Sequence, residues 1–129
     1  MSFDRVCKAG FVAWALLLFT LTHWPNLQVD AGIPRTDLWA HAIGYGVWTF
    51  LLIASGFLGA RGSWKSVGLG MPLALLYAGL DEASQGIPGL GRFVTWEDFA
   101  ANSIGVWIGA SAWVVWLAIR DHRVPVAVR

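Results

Sequence analysis

The sequence predicts an all-α, polytopic integral membrane protein, in which one domain over residues 1–129 forms a bundle of four transmembrane helices. Hydrophobic residues make up 57% of the chain and charged residues only 13%, whereas a soluble domain carries about 25% charged residues. Four apolar segments, each close to the ~20 residues that cross a ~30 Å hydrocarbon core, are separated by short breaks. Only a helix satisfies its own backbone hydrogen bonds in lipid, so each segment is expected to be helical.

The first apolar segment is predicted to be a helix over residues 9–24, which Pro25 ends because the residue before a proline is pushed out of the helical region. Arg5 and Lys8 followed by an apolar run also resemble a signal peptide. The sequence at residues 22–25, Thr-His-Trp-Pro, is a poor small-residue cleavage site, so we expect this helix to be retained.

The remaining segments are predicted to be helices over residues 37–59, 66–85 and 97–119. The turn Arg61-Gly62-Ser63 separates the second from the third, and a longer turn rich in glycine and proline, residues 86–91, separates the third from the fourth. The fourth helix is expected to begin after an N-cap at Thr95. Glu97 and Asp98 would then lie in its first turn, where carboxylates complement the helix dipole.

Small residues recur at four-residue spacing on the last two helices, and such stripes let helix backbones approach closely in lipid. The stripes are Gly70, Ala74 and Ala78 on the third helix and Ala101, Gly105 and Gly109 on the fourth. We expect them to serve packing within the chain. A homo-oligomer formed through Gly105 and Gly109 is the alternative.

The distribution of basic residues predicts the orientation of the bundle. Arg5, Lys8, Arg61, Lys65, Arg120, Arg123 and Arg129 fall on one side, and Arg35 and Arg92 on the other. The positive-inside rule therefore places both termini in the cytoplasm and the loops at residues 25–36 and 86–96 outside. The net charge of +1, with no basic run, argues against a nucleic-acid partner. A single cysteine, Cys7, excludes an intramolecular disulfide.

Polar residues gather at the helix ends that this orientation brings to the outer leaflet. On the second helix they recur every four residues, which places them on one face. The set comprises Asp37, His41 and Tyr45 on the second helix, Glu82 and Gln85 on the third, Arg92 in the following loop, and Asp98 and Asn102 on the fourth. A charge inside the bilayer costs about 2.5–3.5 kcal/mol on insertion scales, so we expect the set to form a functional pocket. Taken singly, Asp37, Asp81 and Glu97 are also explained by contact with headgroups at helix ends.

Several kinds of chemistry suit this set. His41 with Asp37 or Glu82 is a candidate acid–base pair for proton transfer. His41, Glu82 and Asp98 are candidate ligands of zinc or manganese, although no HExxH spacing is present. Arg92 is placed to grip a phosphate or carboxylate, with an ion pair to Glu82 or Asp98 as the structural alternative. The candidate ligand-binding residues are Arg92, Asp98, Asn102, Gln85 and Tyr45. The identity of any metal or cofactor stays open.

The order and spacing of these residues resemble the VanZ-like family over about residues 37–110. The shared pattern is Asp37-x3-His41-x3-Tyr45, then Glu82-x2-Gln85, then Arg92-x5-Asp98-x3-Asn102-x2-Gly105-x3-Gly109. One departure is Leu38, where the family commonly has lysine. The resemblance implies a protein of the bacterial cytoplasmic membrane, in a family named for teicoplanin resistance, and it implies no particular reaction.

The leading functional hypothesis is an envelope protein that binds a lipid-linked or anionic headgroup ligand at the extracytoplasmic leaflet. Arg92 would grip the anionic group, and His41 with Glu82 or Asp37 would transfer a proton if there is catalysis. The alternative is a non-catalytic scaffold or partner subunit, in which the polar residues form a structural network. A transporter is disfavoured because the polar residues stop halfway across the bilayer.

Overall fold

The computed structural model describes residues 3–27 and 30–122, which form four α-helices and contain no strand. The helices are α1 (Phe3–His23), α2 (Thr36–Ser55), α3 (Trp64–Gln85) and α4 (Trp96–His122). The predicted all-α class with four helices is confirmed for this part of the chain. Arg123 and Arg129, which entered the charge count, lie outside the described residues.

Three of these helices, α1, α2 and α4, are long and apolar enough to cross a membrane. The third helix differs, although its 22 residues give it sufficient length. Lys65, Asp81 and Glu82 lie within it, and these charges lower its hydropathy below that of the other three. Its two carboxylates are buried against the rest of the bundle.

Three predicted helix boundaries are wrong, and one of them is the end of the fourth helix, which lies at His122 rather than at residue 119. The first helix begins at Phe3 rather than at residue 9, because Asp4, Arg5 and Lys8 continue the helix although they lie outside the apolar run. The second helix ends at Ser55 rather than at residue 59. Gly56 adopts the left-handed conformation there (φ 76°), which is a common way for a helix to end. The hydroxyl of Ser55 accepts the freed backbone N–H of Phe57 at 3.2 Å.

The predicted N-cap of the fourth helix is confirmed. The hydroxyl of Thr95 accepts a hydrogen bond from the backbone N–H of Asp98 at 3.0 Å. Glu97 and Asp98 lie in the first turn of α4, near the positive end of the helix dipole.

The glycine stripe of α4 lies against α2. A Cβ atom at Gly105 would collide with the backbone carbonyl of Ala42, and one at Gly109 would collide with that of Gly46. Only glycine therefore allows the two backbones to come so close. Because α2 covers this stripe, Gly105 and Gly109 serve packing within the chain. Nothing in the structure supports the alternative of a homo-oligomer through these two glycines, because α2 already covers both of them.

Aromatic and aliphatic side chains of α2 fill the centre of the bundle. Tyr45, Trp48 and Leu52 are buried there with Ala74 and Ala78 of the α3 stripe. The indole ring of Trp48 stacks on the ring of Tyr77, with 4.8 Å between centroids and 4° between planes. These contacts place α2 at the core, with α3 and α4 packed on it.

Consecutive helices run in opposite directions, as side-chain contacts at the two ends show. At one end, Arg61 before α3 bonds Asp4 of α1 at 3.3 Å, and Trp64 of α3 bonds Asp121 of α4 at 3.1 Å. We call the other end of the bundle the polar end. It contains the C-terminal ends of α1 and α3 and the N-terminal ends of α2 and α4. The first helix packs on α2 and α3, and within the described residues none of its Cα atoms lies within 8 Å of a Cα atom of α4.

Candidate functional site

The His41 side chain belongs to the contact between α2 and α4. Its Nδ1 atom donates to Oδ1 of Asn102 at 2.9 Å, since an amide oxygen can only accept. Its Nε2 atom faces Oδ1 of Asp98 at 3.9 Å. The close packing of α2 on α4 brings these three residues together. The predicted pairing of His41 with Asp37 or Glu82 is therefore replaced by pairing with Asp98 and Asn102.

The guanidinium of Arg92 is held by uncharged acceptors. Its Nε and Nη2 atoms donate to Oε1 of Gln85 at 3.4 and 3.3 Å. Its Nη1 atom donates to the backbone carbonyl of Leu27 at 2.8 Å. No carboxylate of the described residues lies within 4.0 Å of it. The structural alternative, an ion pair of Arg92 with Glu82 or Asp98, is thus not formed.

A buried carboxylate at the end of α3 connects Arg92 indirectly to α1. Gln85 donates to Oδ2 of Asp81 at 3.2 Å, and Thr22 of α1 donates to Oδ1 at 3.1 Å. His23 Nδ1 lies 3.7 Å from the same oxygen, and its Nε2 lies 2.8 Å from the hydroxyl of Ser84. Asp81 is therefore hydrogen-bonded from two sides rather than exposed to headgroups.

Sequence reasoning missed Thr22 and His23 as members of the polar set. No spacing rule connects a residue of α1 with one on α3, which lies about sixty positions further along the chain. The available signal was their position. Both lie in the last turn of α1, at the end where the predicted orientation already gathered the other polar residues.

Glu82 is buried between the end of α3 and the start of α4, with 3% of its surface exposed. Its Oε1 atom accepts the backbone N–H of Thr95 at 2.8 Å. Its Oε2 atom has no hydrogen-bond partner among the described residues, and the same holds for Nδ2 of Asn102. The hydroxyl of Tyr45 is buried without a partner as well, so three polar groups of the predicted site keep unused hydrogen-bonding capacity in the described structure.

A cavity of about 670 Å³ opens at the polar end between α1 and α2, and the segment from Gly91 to Thr95 closes one side of it. Its polar wall comprises Thr22, Asn26, Asp37, His41, Arg92, Thr95 and Asp98, and its apolar wall includes Trp14, Leu17, Leu18, Leu21 and Ile43. The indole N–H of Trp14 donates to the carbonyl of Gly44 at 3.0 Å, which ties α1 to α2 beside the apolar wall. We call this space the main cavity.

The structure thus brings four predicted site residues to one cavity and places the other four elsewhere. Asp37, His41, Arg92 and Asp98 line the main cavity. Asn102 and Gln85 lie behind this wall and bond His41 and Arg92. Tyr45 is fully buried in the core, where its ring lies 6.0 Å from that of Tyr77. Glu82 lines a different, smaller cavity.

The described residues contain no group of three or more His, Cys, Asp or Glu side chains that could hold a metal ion. The predicted ligand set of His41, Glu82 and Asp98 is divided by the packing. His41 and Asp98 face the main cavity, whereas Glu82 lines the smaller one.

Comparison with protein-family models gave no match for this chain, and comparisons with curated proteins and with solved structures gave none either.

Proposed function

We propose that this chain is a four-span protein of the bacterial cytoplasmic membrane that binds an amphiphile with an anionic headgroup in the main cavity. The headgroup would lie at the extracytoplasmic leaflet, beside Arg92. One hydrocarbon chain would lie along the apolar wall formed by α1 and α2. Both termini would be cytoplasmic, as the distribution of basic residues predicts.

The observation that carries the proposal is the charge distribution along the cavity wall. Of its charged residues, Asp37 has a basic partner in Arg35 at 3.8 Å, and Asp98 faces His41. His41 is a counter-charge for Asp98 only when it is protonated, whereas Arg92 is a permanent cation and has no carboxylate within 4.0 Å among the described residues. A cation in a partly apolar cavity favours an anionic ligand, because the ligand restores the missing counter-charge.

The geometry of Arg92 suits a ligand rather than a purely structural role. A guanidinium has five N–H donors in a planar fork. Three hydrogen bonds orient it, to Gln85 and to the carbonyl of Leu27, and the other donors remain for a phosphate or carboxylate. Gln85 is in turn bonded to Asp81, so the fork is positioned before a ligand binds.

The apolar wall extends the ligand class from an anion to an amphiphile. Leu17, Leu18 and Leu21 of α1 line the cavity together with Ile43 of α2. Burying a hydrocarbon chain against such a wall stabilises binding by about 0.8 kcal/mol per CH₂ group. A free inorganic anion would leave this wall unused, whereas a lipid or a lipid-linked intermediate would cover it.

His41 supplies the group that can move a proton if the ligand is also transformed. It lines the cavity, Asn102 orients its ring at 2.9 Å, and Asp98 lies beside its second nitrogen. A histidine oriented in this way is the usual arrangement of a general base. The proposed function is binding, and catalysis would require that the ligand place an exchangeable proton at Nε2.

The experiment that tests the proposal compares the lipids that co-purify with variants of the full chain. The protein is isolated in a mild detergent, and bound phosphatidylglycerol, cardiolipin and phosphatidylethanolamine are quantified by mass spectrometry. Loss of a charge-assisted contact should reduce the enrichment of anionic lipid about tenfold in Arg92→Gln. Lys65→Gln removes a positive charge from an exposed residue at the opposite end of the bundle that does not line the cavity, so it should retain the enrichment.

Arg92→Lys separates the effect of the positive charge from the effect of the planar guanidinium in this experiment. It keeps the positive charge but loses the planar fork, so it should keep part of the anionic preference. An identical lipid profile in wild type, Arg92→Gln and Lys65→Gln would contradict the proposal. It would favour the alternative of a non-catalytic scaffold, in which buried hydrogen bonds such as those of Asp81 and Asn102 only hold the helices together.

The resemblance to the VanZ-like family belongs to this proposal. Asp37, His41, Arg92 and Asp98 of the shared pattern line one cavity, which is what a common binding site would require. The link to envelope or glycopeptide-resistance biology rests on this resemblance alone. With Leu38 where the family commonly has lysine, Arg92 is the one arginine or lysine that lines the main cavity among the described residues.

A further inference from the structure

We propose that a second cavity, between the end of α3 and the start of α4, binds a primary ammonium group. This space has a volume of about 460 Å³, and we call it the small cavity. Glu82 is its one charged lining residue among the described part of the chain, and Trp96 and Phe99 contribute aromatic walls. Thr95 lines both cavities, whereas Arg92 and His41 line only the main one.

The inference rests on Oε2 of Glu82, the carboxylate oxygen that has no hydrogen bond in the described structure. The side chain is 3% exposed, and only Oε1 has a hydrogen bond, from the backbone N–H of Thr95. The buried Oε2 atom has no partner in the described structure, and no basic side chain there lies within 4.0 Å of it. Burying a carboxylate oxygen with no hydrogen-bond donor and no basic group in contact is energetically costly. A ligand that supplies both would remove that cost.

The walls of the small cavity favour a cation of modest size. The rings of Trp96 and Phe99 lie 6.2 Å apart in an edge-to-face arrangement with an interplanar angle of 75°. Aromatic faces attract ammonium groups through their quadrupole, and tryptophan does so most strongly. The positive end of the α4 dipole, which would oppose a cation, is offset by Glu97 and Asp98 in the first turn.

A donor N–H is required as well as a positive charge. The Oε2 atom needs a hydrogen-bond donor, which a primary ammonium supplies and a trimethylammonium does not. Because Oε2 is itself covered, the ammonium reaches it only when a wall side chain rotates. Trp96, with 83% of its surface exposed, is the wall residue with the greatest freedom to do so. The ligand class is therefore an ethanolamine-type headgroup or a soluble primary amine, rather than a choline.

The test compares two lipids that differ only in the substituents on nitrogen. The full chain in mild nonionic detergent receives equal amounts of phosphatidylethanolamine and phosphatidylcholine with identical acyl chains, and bound lipid is counted by native mass spectrometry. The wild type should prefer phosphatidylethanolamine about tenfold. Glu82→Gln should abolish this preference, because it removes the negative charge while keeping an acceptor for the N–H of Thr95.

One control variant keeps the small cavity intact. Asp30 lies in the loop before α2, is exposed, and lines neither cavity. Asp30→Asn removes a carboxylate from the polar end but keeps an acceptor for the backbone N–H of Gly32, so it should leave the preference unchanged.

A second variant keeps the proposal testable if Glu82→Gln folds poorly. Trp96→Leu removes an aromatic wall at an exposed residue, so it should lower the preference severalfold without loss of folded protein. Competition by added free ethanolamine would assign the site to a soluble amine, and its absence would assign it to the lipid headgroup. Equal binding of the two lipids by wild type, or a preference that survives Glu82→Gln, would overturn the proposal.

Discussion

At the scale of single residues, Asp81 illustrates how the polar end accommodates a buried charge. Its carboxylate accepts hydrogen bonds from Thr22 and Gln85, and His23 lies 3.7 Å away. The bond from Thr22 joins α1 to α3, two helices that otherwise share few contacts. The stability of α1 in the bundle should therefore depend measurably on one hydroxyl group.

Thr22→Val should lower the stability of the bundle by about 1–2 kcal/mol, because it removes a hydrogen bond to a buried carboxylate inside the bundle. The matched control is Thr20→Val on the same helix. The hydroxyl of Thr20 bonds only the carbonyl of Leu16, one turn earlier, and the residue is exposed. Thermal unfolding of both variants in the same detergent checks the prediction. Equal midpoints for the two would show that the bond to Asp81 contributes nothing.

The sequence predicted which polar residues gather at the polar end but not how they pair. Four-residue spacing places Asp37 and His41 on one face of α2, and both line the main cavity. The partners of His41 depend on the rotation of α4 about its own axis, which spacing within α2 cannot specify. The same limit explains why the alternative for Arg92 was an ion pair with Glu82 or Asp98, whereas it bonds Gln85.

At the scale of helices, the contact between α2 and α4 determines the geometry of the site. Gly105 and Gly109 let the backbone of α4 approach that of α2 at Ala42 and Gly46. This approach brings side chains one and two turns earlier on α4, those of Asn102 and Asp98, within reach of His41. Glycine spacing predicted a close contact, and the structure identifies α2 as the partner.

Gly105→Ala should destabilise the protein by about 3 kcal/mol, the upper end of the range for overpacking, because the new Cβ would collide with backbone rather than with a flexible side chain. Gly68→Ala is the control. Gly68 lies within α3 and a Cβ there would meet nothing within 4 Å, so alanine should raise stability by up to about 1 kcal/mol. Unfolding midpoints of both variants test this, and a Gly105→Ala protein as stable as wild type would contradict the assigned contact.

The existence of the four helices could be predicted from the lengths of the apolar runs. The ends of the helices were less predictable, and so was whether each helix is apolar enough to span a membrane. Apolar runs locate the parts of helices that lie in hydrocarbon, so they miss the charged first turns of α1. Gly56 ends α2 by adopting a left-handed conformation that the apolar pattern does not encode. The carboxylates of α3 are buried by its neighbours, an outcome that the composition of α3 alone does not reveal.

At the scale of the whole molecule, the peripheral position of α1 creates the main cavity. Within residues 3–27 and 30–122, the backbone of this helix comes close to α2 and α3, but no Cα atom of it lies within 8 Å of one in α4. An open space remains beside α2, with Arg92 at the polar end and leucines of α1 along the wall. A cavity of this kind depends on how helices are arranged in space, so the sequence predicted its polar residues without predicting its shape.

The most direct test of the central claim fills the main cavity without altering any of its charges. Ala40 lines the cavity on α2, and Ala100 is a likewise exposed alanine on α4 that does not line it. A fluorescent phosphatidylglycerol is titrated into the purified full chain carrying Ala40→Phe or Ala100→Phe. We expect about a tenfold loss of affinity in Ala40→Phe, equivalent to ~1.4 kcal/mol, and wild-type affinity in Ala100→Phe. Equal affinities in the two variants would show that the anionic amphiphile does not bind in this cavity.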